Sequence, residues 1–188
     1  MQRFNALRLF VVFCCALLAG LCPARAADDT GTAYPKIVLL RHAEKPWNAH
    51  VIPDLTPDGY MRAAKIAPFL QEKYGKPDFI FAAKSSKSKR PVETITPYSK
   101  ATGVPIDSTF DGPAYQDLAH KLLTDKQFAG KLVVVCWRHE DMPQFAHSLN
   151  APDGTYPAKW AQSLYNLVLQ FDYKDSKVPK VTQITEPF

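Results

Sequence analysis

The stretch KIVLLRHAEKP, residues 36–46, places an arginine and a histidine directly after four bulky apolar residues. The unbroken run Ile37–Leu40 predicts a strand that is buried on both faces. Turns that follow strands are usually built from Gly, Asn or Asp, and the pair Arg41-His42 departs from that habit. Because open α/β sheets bind ligands beyond the carboxyl ends of their strands, the pair is predicted to lie where function is expected.

Short apolar runs alternate with amphipathic segments along the rest of the chain. Pro68 and Pro97 are expected to kink or interrupt two of the helices, since proline lacks a backbone N–H. The alternation predicts a three-layer α/β/α sandwich with a mainly parallel central sheet. The further predicted strands are 78–83, 104–106, 131–137, 167–171 and 178–184, and the predicted helices are 56–75, 91–100 and 114–124.

The first 26 residues have the pattern of a secretory signal peptide. Two arginines precede the apolar run 9–22, which is shorter than the roughly 20 residues that span a bilayer. Ala24-Arg25-Ala26 then supplies a small-x-small site, so cleavage is expected after Ala26, although lipidation at Cys22 is an alternative. We therefore expect a secreted or periplasmic protein with a tether at 27–35 and a single domain at 36–188. No stable membrane insertion is expected once the leader is removed.

Removal of the leader changes both the charge and the cysteine count. It carries three arginines and no acid, so the net charge falls from +5 to +2 and no nucleic-acid partner is implied. Cys136 would be the one remaining cysteine, which excludes an internal disulfide framework. Its place in the run 132–137 predicts a small buried hydrophobe.

Three further motifs belong with Arg41-His42. The sequence Ser85-x-x-Ser88-x-Arg90-Pro91 follows the second predicted strand, and His139 follows the strand that ends at Trp137. Leu55-Thr56-x-x-Gly59 supplies an N-cap for the helix after the first site. Two imidazoles and two guanidiniums at strand ends suit phosphoryl transfer, which needs a nucleophile and cations around the phosphoryl oxygens.

In this order and context, the residues Arg41, His42, Arg90 and His139 resemble the signature of the histidine phosphatase superfamily, which includes the phosphoglycerate mutases. The resemblance implies a phosphoglycerate mutase-like fold, His42 as the nucleophile and His139 as a phosphate clamp. Arg41 and Arg90 would bind the phosphate, and repulsion from them is expected to lower the pKa of His42. Lys45 and Ser88 are added as candidate phosphate-binding residues.

The proton donor to the leaving group is left open between two carboxylates. The mutase-like branch is similar in placing a carboxylate after the third strand, where Asp111 is favoured narrowly, with Asp107 and Asp117 nearby. The phytase-like branch places an acid directly after its second histidine, where this chain has Glu140. Arg138 stands where a small or neutral residue is expected, and it would face away, pair with Glu140 or add a third cation.

These patterns predict an exported hydrolase that cleaves phosphomonoesters through a phosphohistidine at His42. The expected partner is a small phosphorylated substrate or a phosphoprotein, and neither a metal nor another cofactor is expected, because the two key histidines are occupied in a phosphate site. The alternatives are a phosphate-binding module without turnover and a phosphoprotein (phosphohistidine) phosphatase.

Overall fold

A computed structural model describes residues 34–48, 51–85, 87–174 and 176–188 of the chain. The predicted signal peptide, Cys22 and most of the tether lie outside the described residues. The strands are β1 (Lys36–Arg41), β2 (Phe79–Ala82), β3 (Ile106–Asp107), β4 (Leu132–Trp137), β5 (Leu167–Asp172) and β6 (Lys180–Thr185), and the helices are α1 (Pro57–Tyr74), α2 (Arg90–Thr102), α3 (Tyr115–Thr124) and α4 (Met142–Ser148).

The six strands form one mixed sheet in the order β3-β2-β4-β1-β5-β6. The first four strands in that order pair in parallel, whereas β5 runs antiparallel to both of its neighbours. The apolar strands β1 and β4 lie side by side at the centre, with Arg41 opposite Trp137. This register brings the carboxyl ends of both strands, and the Arg-His pair at each of these ends, to the same edge of the sheet.

Helices cover both faces of the sheet, so the predicted three-layer sandwich is confirmed. One face carries Val38 and Leu40 and packs on the buried side chains of α1 and α2, including Ile66 and Ile95. The alternate residues of β1, Ile37 and Leu39, face the other layer, which α3 and α4 supply. Arg41 has the same parity as Ile37 and Leu39, and its side chain therefore turns toward the layer that holds α4.

Helix α1 begins as the sequence predicts. The Thr56 hydroxyl accepts a hydrogen bond from the Gly59 amide at 3.1 Å, Pro57 occupies the first turn, and Gly75 ends the helix with φ at 75°. Gly59 is required here, because a Cβ at that position would lie 2.6 Å from the carbonyl oxygen of Glu44. The start of α1 therefore packs directly against the loop that follows His42.

One expectation about the helices is wrong. Helix α2 continues through Pro97 without the expected interruption, because the buried residues on either side hold it on the sheet, and α1 contains Pro68 within its span. The seven-residue helix α4 has no counterpart in the predicted elements, although its buried Met142, Phe145 and Ala146 have helical spacing. Cys136 is fully buried, as predicted.

Candidate active site

His42 and His139 face one another at the carboxyl edge of the sheet. Their ring centroids lie 6.5 Å apart and their planes are nearly perpendicular, at 86°. Both residues are almost completely buried. The parallel pairing of β1 with β4 produces this arrangement from residues that are 97 positions apart in the chain.

The backbone of Ala43 determines which nitrogen of His42 carries the proton. Nδ1 of His42 lies 2.6 Å from the carbonyl oxygen of Ala43. A carbonyl only accepts hydrogen bonds, so Nδ1 must carry the hydrogen, which leaves the Nε2 lone pair unprotonated in the neutral ring. The Ala43 amide is held in turn by the hydroxyl of Thr94, at 2.9 Å.

The neutral form of His42 is strongly favoured. Burial is the largest cause that lowers its pKa, to about 3, and repulsion from Arg41 and Arg90 lowers it further. The hydrogen bond to Ala43 acts in the opposite direction but is outweighed. The predicted direction of the pKa shift is therefore right, but burial contributes more to it than repulsion from the two arginines does.

Arg41 is fully buried and only part of its guanidinium is paired with the protein. Nη1 reaches the carbonyl oxygens of Ala161, Gln162 and Leu164 at distances of 2.7–3.2 Å. Among the described residues, Nε and Nη2 have no hydrogen-bond partner. These two atoms form one edge of the guanidinium, which is the edge that binds two oxygens of a phosphate or carboxylate side by side.

Tyr165 is a site residue that the sequence-based reasoning missed. Its ring lies over the Arg41 guanidinium, whose Cζ is 3.7 Å from the ring centroid. The centroids of the Tyr165 and His42 rings are 6.3 Å apart. Stacking holds the guanidinium plane and leaves its edges open to acceptors. No motif in the sequence marks Tyr165, because it belongs to an irregular segment before β5.

One cavity of 530 Å³ joins His42 to the loop between β2 and α2. Arg90 lines it and donates from Nη1 to the carbonyl of Ile52 at 2.9 Å. Ser88 is buried at the same wall, and within the described part of the chain its hydroxyl oxygen has no hydrogen-bond partner. The other lining residues are Lys45, Pro46, Trp47, Ser85, Lys87, Arg138, Glu140, Gln162 and Tyr165.

Charge in this cavity is predominantly positive. Burial lowers the pKa of Lys45, and the nearby carboxylate of Glu140 partly offsets this lowering. Glu140 is the only carboxylate among the described residues that line the cavity. An anion entering the cavity therefore meets several cations and one negative group.

Glu140 contacts the second histidine directly. Its Oε2 lies 2.9 Å from Nδ1 of His139. Burial is the largest single effect and raises the pKa of Glu140, but the hydrogen bonds from His139 and from the backbone, together with the charges of His139 and Lys45, outweigh it and lower the pKa to about 2. The carboxylate therefore stays ionised near neutral pH, and because Nδ1 of His139 lies beside it, Nε2 of that ring points away from it.

Asp111, the favoured candidate for the leaving-group acid, lies apart from this cavity. It is exposed, it precedes a short 3₁₀ turn, and it is absent from the lining of the cavity. The neighbouring Gly112 instead packs against Arg138. The structure therefore brings together seven of the eight predicted site residues and leaves Asp111 outside.

An ion-pair network lies behind the loop that follows His42. Arg62 donates from Nε to Glu44 at 2.7 Å and from Nη1 to Glu186 at 2.8 Å. Glu186 is almost fully buried, and burial raises its pKa to about 7 even though Arg62 opposes that shift. The network ties Glu44, two residues after His42, to α1 and to the residues that follow β6.

The described residues contain no cluster of His, Cys, Asp and Glu suited to a metal ion. Within the same residues, no helix has the length and apolar character needed to cross a membrane.

The resemblance predicted from the sequence is confirmed by comparison with known families. Residues 37–111 match the model of the histidine phosphatase superfamily, branch 1, and therefore carry the pattern of that superfamily. This match includes the segment that carries Arg41 and His42 and the loop that carries Arg90. A comparison with curated proteins gave no match.

Solved structures resemble the whole described fold. The protein histidine phosphatase SixA complexed with tungstate aligns with a TM-score of 0.61 at 13% identity, covering 80% of this chain and 96% of that chain. A mycobacterial glucosyl-3-phosphoglycerate phosphatase aligns with a TM-score of 0.56 at 14% identity, over 80% and 97% of the two chains. A phosphoglycerate mutase from Bacillus anthracis gives 0.54 at 12% identity, over 82% and 94%. At these identities the likeness shows a shared phosphoglycerate mutase-like fold.

Proposed function

We propose that this protein is a phosphatase that hydrolyses phosphomonoesters through a phosphohistidine formed at His42. The observation that carries the proposal is the buried edge of Arg41, whose Nε and Nη2 have no protein acceptor among the described residues. Leaving such donors buried and unpaired is costly, and a tetrahedral anion with two adjacent oxygens would pair both of them. This edge belongs to the residue directly before the nucleophile.

The first chemical step uses the free nitrogen of His42. Its Nε2 lone pair attacks phosphorus, the bond from phosphorus to the leaving oxygen breaks, and that oxygen departs with the electron pair. Nδ1 keeps its hydrogen on the Ala43 carbonyl throughout, so the ring becomes a cation that the bound phosphoryl group neutralises. In the second step a water molecule attacks the phosphorus, the phosphorus–nitrogen bond breaks with its electron pair returning to Nε2, and the protons of the water leave on the released phosphate.

Arg41, Arg90, Ser88 and His139 would hold the transferred group. Arg41 supplies a bidentate edge, Arg90 a second guanidinium, and Ser88 a hydroxyl that faces the same cavity. His139 would donate from Nε2 to a phosphoryl oxygen, with the carboxylate of Glu140 at the Nδ1 side of its ring. The tungstate complex of SixA supports an oxyanion site in a protein of this fold, because tungstate is a tetrahedral oxyanion like phosphate.

Steady-state hydrolysis of para-nitrophenyl phosphate by the purified protein, from pH 4 to 8, tests the proposal. We expect turnover that is lost in His42→Ala, whereas Lys84→Gln, an exposed residue outside the cavity lining, should retain it. Turnover that survives in His42→Ala would refute the phosphohistidine route. Phosphate binding without turnover would instead favour a binding module.

A second candidate function is the removal of phosphate from phosphohistidine in a phosphoprotein. The observation that favours it is the absence of a proton donor of the carboxyl type in the described cavity lining: Glu140 is ionised and Asp111 lies elsewhere. Alkoxide leaving groups need a proton as the bond breaks, whereas an imidazole that is already protonated leaves unaided. The SixA neighbours bear this activity in their names.

A series of aryl phosphates with leaving groups of different pKa, together with a phosphohistidine peptide, separates the two candidates. If no acid assists, kcat/KM should fall steeply as the pKa of the leaving group rises, and Glu140→Gln should leave that slope unchanged. Hydrolysis of simple alkyl phosphates as fast as the peptide would favour the general phosphomonoesterase.

We also propose that the protein is exported. The support is the sequence pattern of residues 1–26, which lie outside the described residues. N-terminal sequencing of the protein recovered from the periplasm or medium should begin at Ala27. A start at Met1, or at a lipidated Cys22, would contradict cleavage after Ala26.

A further inference from the structure

Arg138 is held at the wall of the catalytic cavity by two neighbours. Its Nε and Nη2 donate to Oδ2 of Asp141 at 3.0 and 2.8 Å. The guanidinium lies against Gly112, where a Cβ would fall 1.9 Å from Cζ. Gly112 is therefore the residue that makes room for Arg138, and Asp141 holds the guanidinium at that place.

The position of Gly112 is itself fixed from the strand that carries Arg138. The indole nitrogen of Trp137 donates to the Gly112 carbonyl at 3.1 Å, and Trp137 is fully buried. The segment after β3 is thus tied to the end of β4. This segment is where an acid was expected from the sequence, and the structure presents the cation of Arg138 there instead.

Arg138 keeps an unused donor group. One hydrogen bond to Asp141 comes from Nε and the other from Nη2. The third nitrogen, Nη1, has no protein acceptor within the described residues. Arg138 lines the cavity with His42 and Arg90, and repulsion from it contributes to lowering the pKa of Arg90. The phosphate already has Arg41, Arg90, Ser88 and His139 as candidate partners, which leaves Arg138 available for another group of the substrate.

We infer that Arg138 is a specificity-determining residue that binds a second anionic group of the substrate, a carboxylate or a second phosphate. The inference rests on the proposed phosphatase function. Asp141 and Gly112 act as positioning residues, because they hold the guanidinium without reaching the substrate. A charge-assisted hydrogen bond to a second anion is worth about 1.5–3 kcal/mol, or roughly 10- to 100-fold in kcat/KM.

Phenyl phosphate, 3-carboxyphenyl phosphate and 1,3-phenylene bisphosphate form a suitable set of substrates, since they share an aryl leaving group and differ in the second anion. We expect Arg138→Gln to lower kcat/KM by about 10- to 100-fold for one or both of the substrates that carry a second anionic group. For phenyl phosphate, the loss in kcat/KM should be less than about threefold. For each substrate, the ratio of kcat/KM in the wild type to kcat/KM in the variant is compared, so that differences in the intrinsic reactivity of the substrates cancel. A larger loss with the carboxylate identifies that group as the ligand, and a larger loss with the bisphosphate identifies phosphate.

Two further variants separate the effect of the position of Arg138 from the effect of its positive charge. Gly112→Ala, which keeps Arg138 but displaces it, should reproduce the selective loss. Lys84→Gln removes one positive charge outside the cavity lining and should leave the three substrates in their wild-type ratio. An equal loss on all three substrates in Arg138→Gln would overturn the inference, because Arg138 would then serve the reacting phosphate or the fold; no loss on any of them would overturn it as well.

Binding measurements distinguish failure of this inference from failure of the proposed function. In the His42→Ala background, calorimetry with the same compounds reports affinity without turnover. Tighter binding of the compounds with a second anion that disappears in His42→Ala/Arg138→Gln supports the inference even if the wild type hydrolyses none of them. Equal affinity in the two proteins refutes it.

Discussion

The backbone amide of Ala43 donates a 2.9 Å hydrogen bond to the hydroxyl of Thr94, 51 residues further along the chain. The same hydroxyl donates to the carbonyl of Arg90 at 2.8 Å. Thr94 is completely buried and connects the loop that follows His42 to the helix turn that carries Arg90. The orientation of Ala43 determines the tautomer of His42, and Thr94 therefore positions the proposed nucleophile without lining the cavity.

Thr94→Val is expected to lower kcat about tenfold or more with a smaller change in KM. The substitution keeps the volume but leaves the Ala43 amide buried without an acceptor, at a cost of about 1–3 kcal/mol. Thr94→Ser retains the hydroxyl and should recover most of kcat. A purely structural role would lower the melting temperature in both variants and leave kcat of the folded protein unchanged.

Arg41→Lys should reduce kcat/KM by about 100-fold or more, because an ammonium group cannot present two parallel donors to a phosphate. Affinity for tungstate or vanadate, measured by inhibition, should fall with it. Arg62→Lys is the matched control, since it also removes the paired donors of a part-buried guanidinium but lies outside the cavity. A loss of activity in Arg62→Lys as large as in Arg41→Lys would contradict a direct phosphate contact by Arg41.

The ring of His42 is expected to stay neutral from pH 5 to 8, since its pKa is lowered to about 3. Long-range ¹H–¹⁵N spectra of histidine-labelled protein should show an Nδ1–H tautomer whose shifts are constant over this range. Loss of these signals in the His42→Asn variant assigns them to His42. A midpoint near pH 6.5 would contradict the burial and cation effects assigned to this residue.

The stability of the Glu186→Gln variant, measured relative to the wild type, should increase as the pH rises. The folded-state pKa of Glu186, about 7, exceeds its ordinary value of 4.5, so its contribution to stability is fully present below about pH 4.5 and is lost as the pH rises toward 7. A shift of this size corresponds to at most about 3 kcal/mol. Melting temperatures of wild type and variant at pH 4.5, 6 and 8 check this; a difference that does not vary with pH would contradict it.

The residues of the site could be predicted where they follow a recognisable strand. His42 and His139 end two apolar runs, and parallel pairing of such runs brings their ends together. Arg90 and Ser88 follow a third such run. Each of these predictions needed only the local pattern and a general rule about sheets.

The remaining features depend on contacts that no local pattern encodes. Tyr165 reaches Arg41 across more than 120 positions, from a segment without periodicity. The location of Arg138 depends on the missing side chain of Gly112, and the position of Asp111 depends on how the segment after β3 turns. Helix α4 is different, since the spacing of its apolar residues was present in the sequence.

The most direct measurement is capture of the phosphorylated enzyme. Wild-type protein is mixed with labelled aryl phosphate and quenched in alkaline denaturant, because the phosphorus–nitrogen bond of phosphohistidine is labile to acid, and the modified peptide is mapped by mass spectrometry and ³¹P NMR. The hydrogen bond from Nδ1 to Ala43 predicts a single phosphoryl group on Nε2 of His42, absent in His42→Ala. Label on another residue, or steady turnover with no phosphohistidine and an active His42→Ala variant, would contradict the assignment of His42 as nucleophile.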